Sequence, residues 1–544
     1  MKRIALFFCF IFSFAAHANN IIVNGTRFIY PGNEKEITVQ LSNNADRPAL
    51  AQAWLDNGDA DATPDTITTP FIITPPISRV DAKSGQTLRI KLGSSAGLAK
   101  DKETLWWLNL LEIPPVVANQ KNEGQKKLLF SKISDRQKYV DVIRRTILKR
   151  ENLEMISRLS VEETEIGDYE HKLIKNRLAA EKTPGTEDLL TEAVTGDNGL
   201  TLVEYCPFGV IGAITPTTNP TETIINNSIS MIAGGNTVVF SPHPRAKKVS
   251  QMTVKLLNKA LTESGAPENL ITMVEEPSIE NTNKMIENPS VRLLVATGGP
   301  SIVKKVLSSG KKAIGAGAGN PPVVVDETAD IVKAAKDIVD GCSFDNNVPC
   351  IAEKEVFAVD SICDYLIHNM KENGAYQITD PAQLEQLVTL VTNEKGGPKT
   401  SFVGKSARYI LGKLGITADA SVRVIIMEVP KEHLLVQEEM MMPILPVVRV
   451  CDVDTAIEYA HQAEHGNRHT AMMHSRNVEK LSKMAKIMET TIFVKNAPSY
   501  AGIGVGGEGY TTFTIAGPTG EGLTSPRAFC RKRKCVMTDA FSIR

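Results

Sequence analysis

Near residue 133 the hydrophobic pattern of this 544-residue chain changes period, and no other feature constrains the fold as much. Upstream, Ile37-Thr-Val-Gln-Leu41, Ala49 to Trp54, Phe71-Ile-Ile-Thr74, Thr87 to Leu92 and Leu105 to Leu111 are short alternating runs, separated by Asn, Gly, Asp and Pro. Runs of that kind predict an antiparallel sandwich. Downstream, Tyr139, Val142, Ile143 and Ile147 fall at helical spacing, and strands then alternate with helices. A chain of this length exceeds a single core, so at least two domains follow.

In the downstream part, Phe208 to Thr215, Asn236 to Phe240, Arg292 to Thr297 and Val323-Val-Val325 read as buried strands. Thr221 to Ala233, Ala246 to Leu261, Val303 to Ser309 and Ala329 to Val339 read as the helices between them. Val422 to Met427, Val447 to Val450 and Ile492 to Lys495 continue the strands, with helices over Thr455 to His461 and Val478 to Met488. Repeated βα units predict a mostly parallel, doubly wound sheet. Asp197-Asn198-Gly199 adds a hairpin near 195–206.

Ligands of such sheets bind beyond the carboxyl ends of the strands. Three motifs stand there: Ile214-Thr-Pro216-Thr-Thr-Asn219-Pro220, Ser241-Pro-His243-Pro and Thr297-Gly298-Gly299-Pro300. Asn219 has a structural reading, as an N-cap with Pro220 at N1 and Glu222 closing a capping box. The same position also suits an amide that donates to an oxyanion. No GxGxxG follows these strands, so the ordinary dinucleotide fingerprint is missing.

Between a helix and the strand-like Glu355-Val-Phe-Ala-Val359 lies Ser343-Phe-Asp-Asn-Asn-Val-Pro-Cys350-Ile-Ala-Glu-Lys354. Its thiol is packed filler or a nucleophile, and free Cys is among the most buried residue types. Asp345, Asn346 and Asn347 are poor core residues, which predicts a loop that is solvated or lines a polar site. The glycine-rich stretch Tyr500 to Gly522 suggests a site-lining or interface loop.

Net charge is −1, with 42% hydrophobic and 23% charged residues, so no basic surplus points to nucleic acid. Lys2 and Arg3, the apolar run Ile4 to Ala15 and Ala16-His17-Ala18 predict a secretory signal over residues 1–18. No stretch is long enough to span a membrane. Cys9 lies in the signal, and the other seven cysteines stand singly, which suits a reducing compartment and conflicts with export. Arg531-Lys-Arg-Lys534 reads as a solvated strand edge.

Two resemblances extend these readings. Gly25-Thr-Arg27-Phe-Ile-Tyr-Pro31, Thr74-Pro-Pro76, Gln86-Thr-Leu-Arg-Ile90 and Glu103-Thr-Leu-Trp-Trp-Leu-Asn109 resemble the first immunoglobulin-like domain of periplasmic pilus chaperones, over about 19–133. The resemblance implies that Arg27 anchors a pilus subunit's carboxylate and that the lysine which should join it falls at Ser134, with Lys132 close by, while Gln125, Lys126 and Lys127 interrupt the strand lent to the client. The family's second domain is missing.

Val203 to Ser250, Gly315 to Thr328, the Cys350 loop, Met441-Met-Pro-Ile-Leu-Pro-Val447, His469-Thr-Ala-Met-Met-His474 and Gly502 to Thr524 resemble the CoA-acylating propionaldehyde and acetaldehyde dehydrogenases. This implies an aldehyde dehydrogenase fold, with an NAD-binding domain over 134–345, a catalytic domain over 346–525 and an oligomerising C-terminal strand over 526–544. It implies Cys350 as nucleophile and Asn219 as oxyanion donor. Pro216, His243, Thr297, Gly298, Gly299 and Glu439 would border NAD, and CoA would be the co-substrate of a short-chain aldehyde. The signal predicts the periplasm, whereas the dehydrogenase relatives imply the cytoplasm or a microcompartment. An exported chaperone-like binding protein and a fusion of two incomplete halves are the alternatives to the enzyme.

Overall fold

The computed structural model describes residues 21–45, 49–58, 67–94, 98, 101–113, 123–539 and 541. The expected signal segment lies outside the described residues. The chain divides into two compact units, Met1–Gln120 and Lys121–Arg544.

The first unit holds β1 (Ile21–Val23), β2 (Glu36–Asn43), β3 (Ala49–Asp56), β4 (Phe71–Thr74), β5 (Ile77–Val80), β6 (Gly85–Leu92) and β7 (Trp107–Ile113). All pairings are antiparallel, in sheets ordered β1-β2-β6-β4 and β5-β3-β7. Val39, Leu41, Leu88 and Ile90 of one sheet and Ala51, Ala53 and Leu55 of the other are buried in one core. Each set falls on alternate residues, as an immunoglobulin-like sandwich requires.

The second unit starts earlier than residue 133. Glu123–Leu129 is a helix, and Leu128 is fully buried in the larger unit's core. Gln125 fixes it there, accepting from Thr237 N and donating to the carbonyl of Gly235. Burial of one leucine is worth about 1.5–3 kcal/mol, and Gln-Lys-Lys favours helix over strand. The helix Ile133–Leu148 follows and buries Tyr139, Val140, Val142, Ile143 and Ile147.

The hairpin of β8 (Glu192–Gly196) and β9 (Gly199–Pro207) turns at Asp197-Asn198. Then come β10 (Val210–Thr215), β11 (Thr237–Pro242), β12 (Ile271–Met273), β13 (Val291–Thr297) and β14 (Lys312–Ala316), a parallel sheet ordered β12-β11-β10-β13-β14. The chain winds outward from β10 to β12 and then returns to β13, so the order reverses between β10 and β13.

A second parallel sheet holds β15 (Pro322–Val325), β16 (Glu355–Val359), β17 (Ala375–Gln377), β18 (Val424–Glu428), β19 (Ile444–Val450), β20 (Thr470–His474) and β21 (Ile492–Lys495). Its order is β17-β18-β19-β16-β15-β20-β21. The expected division at 345/346 therefore falls between Ala316 and Pro322 instead. Val323-Val-Val325 is fully buried between β16 and β20, and an apolar run of this length reads alike in either sheet. A short pair, β22 (Ile515–Ala516) and β23 (Gly522–Leu523), precedes β24 (Cys530–Thr538), which lies along β9 as an almost wholly exposed edge.

Candidate active site

After the helix Ile331–Ser343 and Phe344 come three successive left-handed residues, Asp345, Asn346 and Asn347, with φ of 51°, 54° and 65°. Asp and Asn tolerate this region best among residues with a Cβ. Each side chain then holds a neighbouring backbone group. Asp345 accepts from Asp168 N at 2.7 Å, Asn346 Nδ2 donates to the carbonyls of Gly167 and Gly404, and Asn347 Nδ2 donates to those of Cys342 and Glu353. These bonds fix the turn that leads to Cys350. Asp345 and Asn347 are buried, so of the two expectations for this run, solvated or lining a polar site, the second fits: Asp345 lines the buried polar cluster around Lys175.

Cys350 itself is half-buried, in the turn before β16. Burial pushes its thiol up to about 12, the Glu439 carboxylate adds to this, and Lys354 and Lys175 oppose it. Beneath the loop, Glu353 accepts from Ser499 N at 2.8 Å and Ser499 Oγ at 2.7 Å.

Asn219 does cap the helix Pro220–Ala233, with Pro220 at N1, but through its backbone only. Its side chain makes no capping bond and the expected box with Glu222 does not form. Both side chains are drawn to Lys175 instead. Lys175 Nζ donates to Asn219 Oδ1 at 2.5 Å and Asp345 Oδ2 at 2.5 Å, and lies 3.1 Å from Glu222 Oε1. One helical turn away, Lys172 Nζ lies 3.1 Å from Asp345 Oδ2 and donates to the carbonyl of Thr218. All four charged side chains are fully buried. Burial pulls the Lys175 ammonium down, but Asp345 and Glu222 outweigh it and hold the group above its usual value.

Pro216, His243 and Thr297 to Gly299 cluster at the carboxyl edge of the first sheet. His243 N donates to Thr215 O at 3.1 Å, and Gly298 N to Ala316 O at 3.1 Å. Thr215 is the last residue of β10 and Thr297 the last of β13, the two strands where the order reverses. A Cβ on Gly299 would meet nothing within 4 Å, so the edge is open to a ligand. The glycine-rich segment closes one side: Thr297 Oγ1 and Thr514 Oγ1 are 3.1 Å apart, and Thr519 Oγ1 accepts from Gly315 N.

Glu439 belongs with the thiol rather than with these strand ends. It lines a cleft of about 340 Å³ with Gly319, Asn320, Gln437, His465 and Asn467, and lies 3.9 Å from Lys354 Nζ. His469, which carried no role in the sequence, is buried against Gly319. A Cβ at Gly319 would sit 2.9 Å from both the Cys350 carbonyl and His469 Cγ. Burial pushes His469 down to about 4, so it is neutral, and its Nε2 has no partner among the described residues. Lys172 and Lys175 were equally hidden, because two lysines a turn apart read as a solvated helix face.

Comparison with known proteins fits this geometry. The sequence model of the Aldehyde dehydrogenase family matches residues 120–513, and that of the Pili and flagellar-assembly chaperone, PapD N-terminal domain, matches 20–135. Propanal dehydrogenase (CoA-propanoylating) of Salmonella typhimurium is 52% identical over 386 residues, 71% of this chain and 83% of that protein. Chaperone protein MrkB of Klebsiella pneumoniae is 88% identical over 140 residues, 26% of this chain and 60% of the chaperone. The structure of Rhodopseudomonas palustris propionaldehyde dehydrogenase with bound CoA and an acylated cysteine superposes with a TM-score of 0.77 at 67% identity, over 78% of this chain and 97% of that one. The chain belongs to the aldehyde dehydrogenase family through the part that starts at residue 120, and the stretch before it matches the PapD N-terminal domain model.

Proposed function

We propose that the larger unit oxidises a short-chain aldehyde, propionaldehyde or acetaldehyde, to its acyl-CoA, with Cys350 as nucleophile and Asn219 as oxyanion donor. One observation carries the reading: a single buried ammonium, Lys175, holds both Asn219 and the Asp345 turn that presents Cys350. Attack of the Cys350 sulfur on the carbonyl carbon leaves charge on oxygen, where the Asn219 amide can donate. Neutral His469 offers Nε2 to a thiol proton.

The open edge at Pro216, His243, Thr297, Gly298 and Gly299 fits a dinucleotide at the point where strand order reverses. Glu439 would border its reactive end, near the thiol. NAD held there by these residues would supply the acceptor for the hydride that leaves the carbon bound to Cys350. The thiolate of CoA would then attack the carbonyl of the acyl thioester on Cys350, and Cys350 would leave as the thiolate. The ribbon of β8, β9 and β24, exposed along its two edge strands β8 and β24, is the proposed surface for a homo-oligomer.

We place the active enzyme where NAD and CoA are supplied, in the cytoplasm, although the expected signal argues for the periplasm. NADH formation from propionaldehyde by the purified full chain, measured with and without CoA, tests the reading. No NADH in either case would overturn it.

A further inference from the structure

We propose that Lys175 is a positioning residue for the reaction: it fixes which end of the Asn219 carboxamide faces the reacting carbonyl. The proposal rests on the reading of Asn219 as oxyanion donor and deepens it.

A carboxamide can present either its oxygen or its nitrogen, and the two ends have nearly the same shape. Only the nitrogen end stabilises an oxyanion. An ammonium has three donors and no acceptor, so it can bind the oxygen end alone. Lys175 Nζ does this at 2.5 Å, which turns Nδ2 away from the buried cluster. Nδ2 is left with one long contact, 3.4 Å to Thr218 Oγ1. The helix end that could have taken Oδ1 does not, because Asn219 makes no side-chain capping bond.

The ammonium is itself held in place. Asp345 and Glu222 flank it, and both are fully buried. Lys172 supplies the second positive charge of the cluster, so two cations face two carboxylates. Asp345 lies five residues before Cys350, in the left-handed turn. One ammonium therefore sets the donor and the nucleophile's loop relative to each other.

The test is a double-mutant cycle on initial NADH formation at saturating propionaldehyde, NAD and CoA. N219A and K175M should each lower kcat about 10²-fold, the usual loss for one oxyanion donor. The KM for propionaldehyde should change less than about threefold. The double variant should fall no more than about twofold below N219A, because Lys175 acts through Asn219. Losses that multiply, or a K175M enzyme within about threefold of wild type, would overturn the positioning role while leaving Asn219 as donor. Full activity in N219A would instead overturn the reading of the donor. Should K175M not fold, K175M/E222Q removes one charge of each sign and enters the same cycle. Thermal unfolding of position 219 gives a check that needs no change at Lys175. N219D keeps an oxygen for the ammonium and should hold Tm, whereas N219L strips it and should lower Tm. The reverse order would sink the proposal.

Discussion

Lys354 Nζ donates to both oxygens of Asn347, at 2.9 Å to the carbonyl and 2.7 Å to Oδ1, and so brings a buried cation within four residues of Cys350. Asn347 is left-handed at φ 65° and needs these bonds to hold the turn. The same side chain thus supports the loop and opposes the rise in the thiol's pKa.

The two roles separate in Lys354→Met. Below its pKa a thiol is alkylated in proportion to its thiolate fraction, which rises about tenfold per pH unit. With Cys350 pushed up to about 12, iodoacetamide inactivation of the free enzyme should keep rising from pH 7 to pH 10 without a plateau. Lys354 favours the thiolate, so its removal should move the profile to higher pH and slow inactivation at any fixed pH. The orphaned Asn347 oxygens should cost about 1–3 kcal/mol of stability. A variant that loses stability with an unshifted profile would reduce Lys354 to a structural role.

Among the cysteines, only Cys350 should matter to chemistry. Cys342 is fully buried and its sulfur accepts from Asn347 Nδ2 at 3.3 Å, while Cys206 sits half-buried on β9. Cys350→Ser should abolish NADH formation and leave the thermal transition in place. Cys206→Ser and Cys342→Ser should keep most activity, with some loss of stability for the second. Equal loss of turnover in all three would refute the assignment.

Much of this was legible in the sequence, for reasons that differ from residue to residue. Val39, Leu41, Leu88 and Ile90 alternate strictly, so the sandwich showed itself, and Glu355–Val359 is a strand with the bounds its apolar run gives. The positions after β10, β11 and β13 followed from the rule for parallel sheets. The buried charges did not. Lys172, Lys175 and Glu222 carry no local sign of burial, because the partners of Lys175 in the cluster lie as far as 170 residues away in sequence and Asp345 is equally remote from Lys172. Asp345 and Asn347 mark a run that is solvated or lines a polar site, and their types do not choose between the two; buried lysines, Lys175 for Asp345 and Lys354 for Asn347, decide it. The segment 123–129 was counted with the sandwich, although Leu128 finds its core in the other unit.

That helix has a consequence for the first unit. Gln125, Lys126 and Lys127 lie in Glu123–Leu129, and Lys132 is the N-cap of Ile133–Leu148, so neither candidate for the anchoring lysine lies on a strand. Exposed Arg27 would meet a subunit carboxylate without that partner. A charge-assisted bond is worth about 1.5–3 kcal/mol, and binding of pilus subunits should be weaker by at least that. Pull-down of subunits by the full chain, beside an intact pilus chaperone, checks this. Equal recovery would show that the domain binds without its lysine.

The last prediction concerns what removes the acyl group from Cys350. Water needs a general base, commonly worth about 10²–10⁴ in rate. By the family resemblance, hydrolytic members would use a glutamate just before a Gly-Gly segment, and that place would fall on Ala316 or Gly317 here. No carboxylate occurs from Lys311 to Val325. Ala316 is buried at the end of β14, and a Cβ at Gly317 would already meet Pro518 Cγ at 3.5 Å. Glu439 is the carboxylate whose charge reaches Cys350, but Lys354 and the Gly319 N–H already engage it, and burial raises its pKa. CoA brings its own sulfur nucleophile and needs less from the protein. Without CoA, rapid mixing with propionaldehyde and NAD should therefore give an NADH burst of at most about one equivalent per site. Mass spectrometry of the quenched protein should find propionyl on Cys350, and added CoA should restore steady turnover. Sustained release of free propionate without CoA at a comparable rate would place the enzyme in the hydrolytic class.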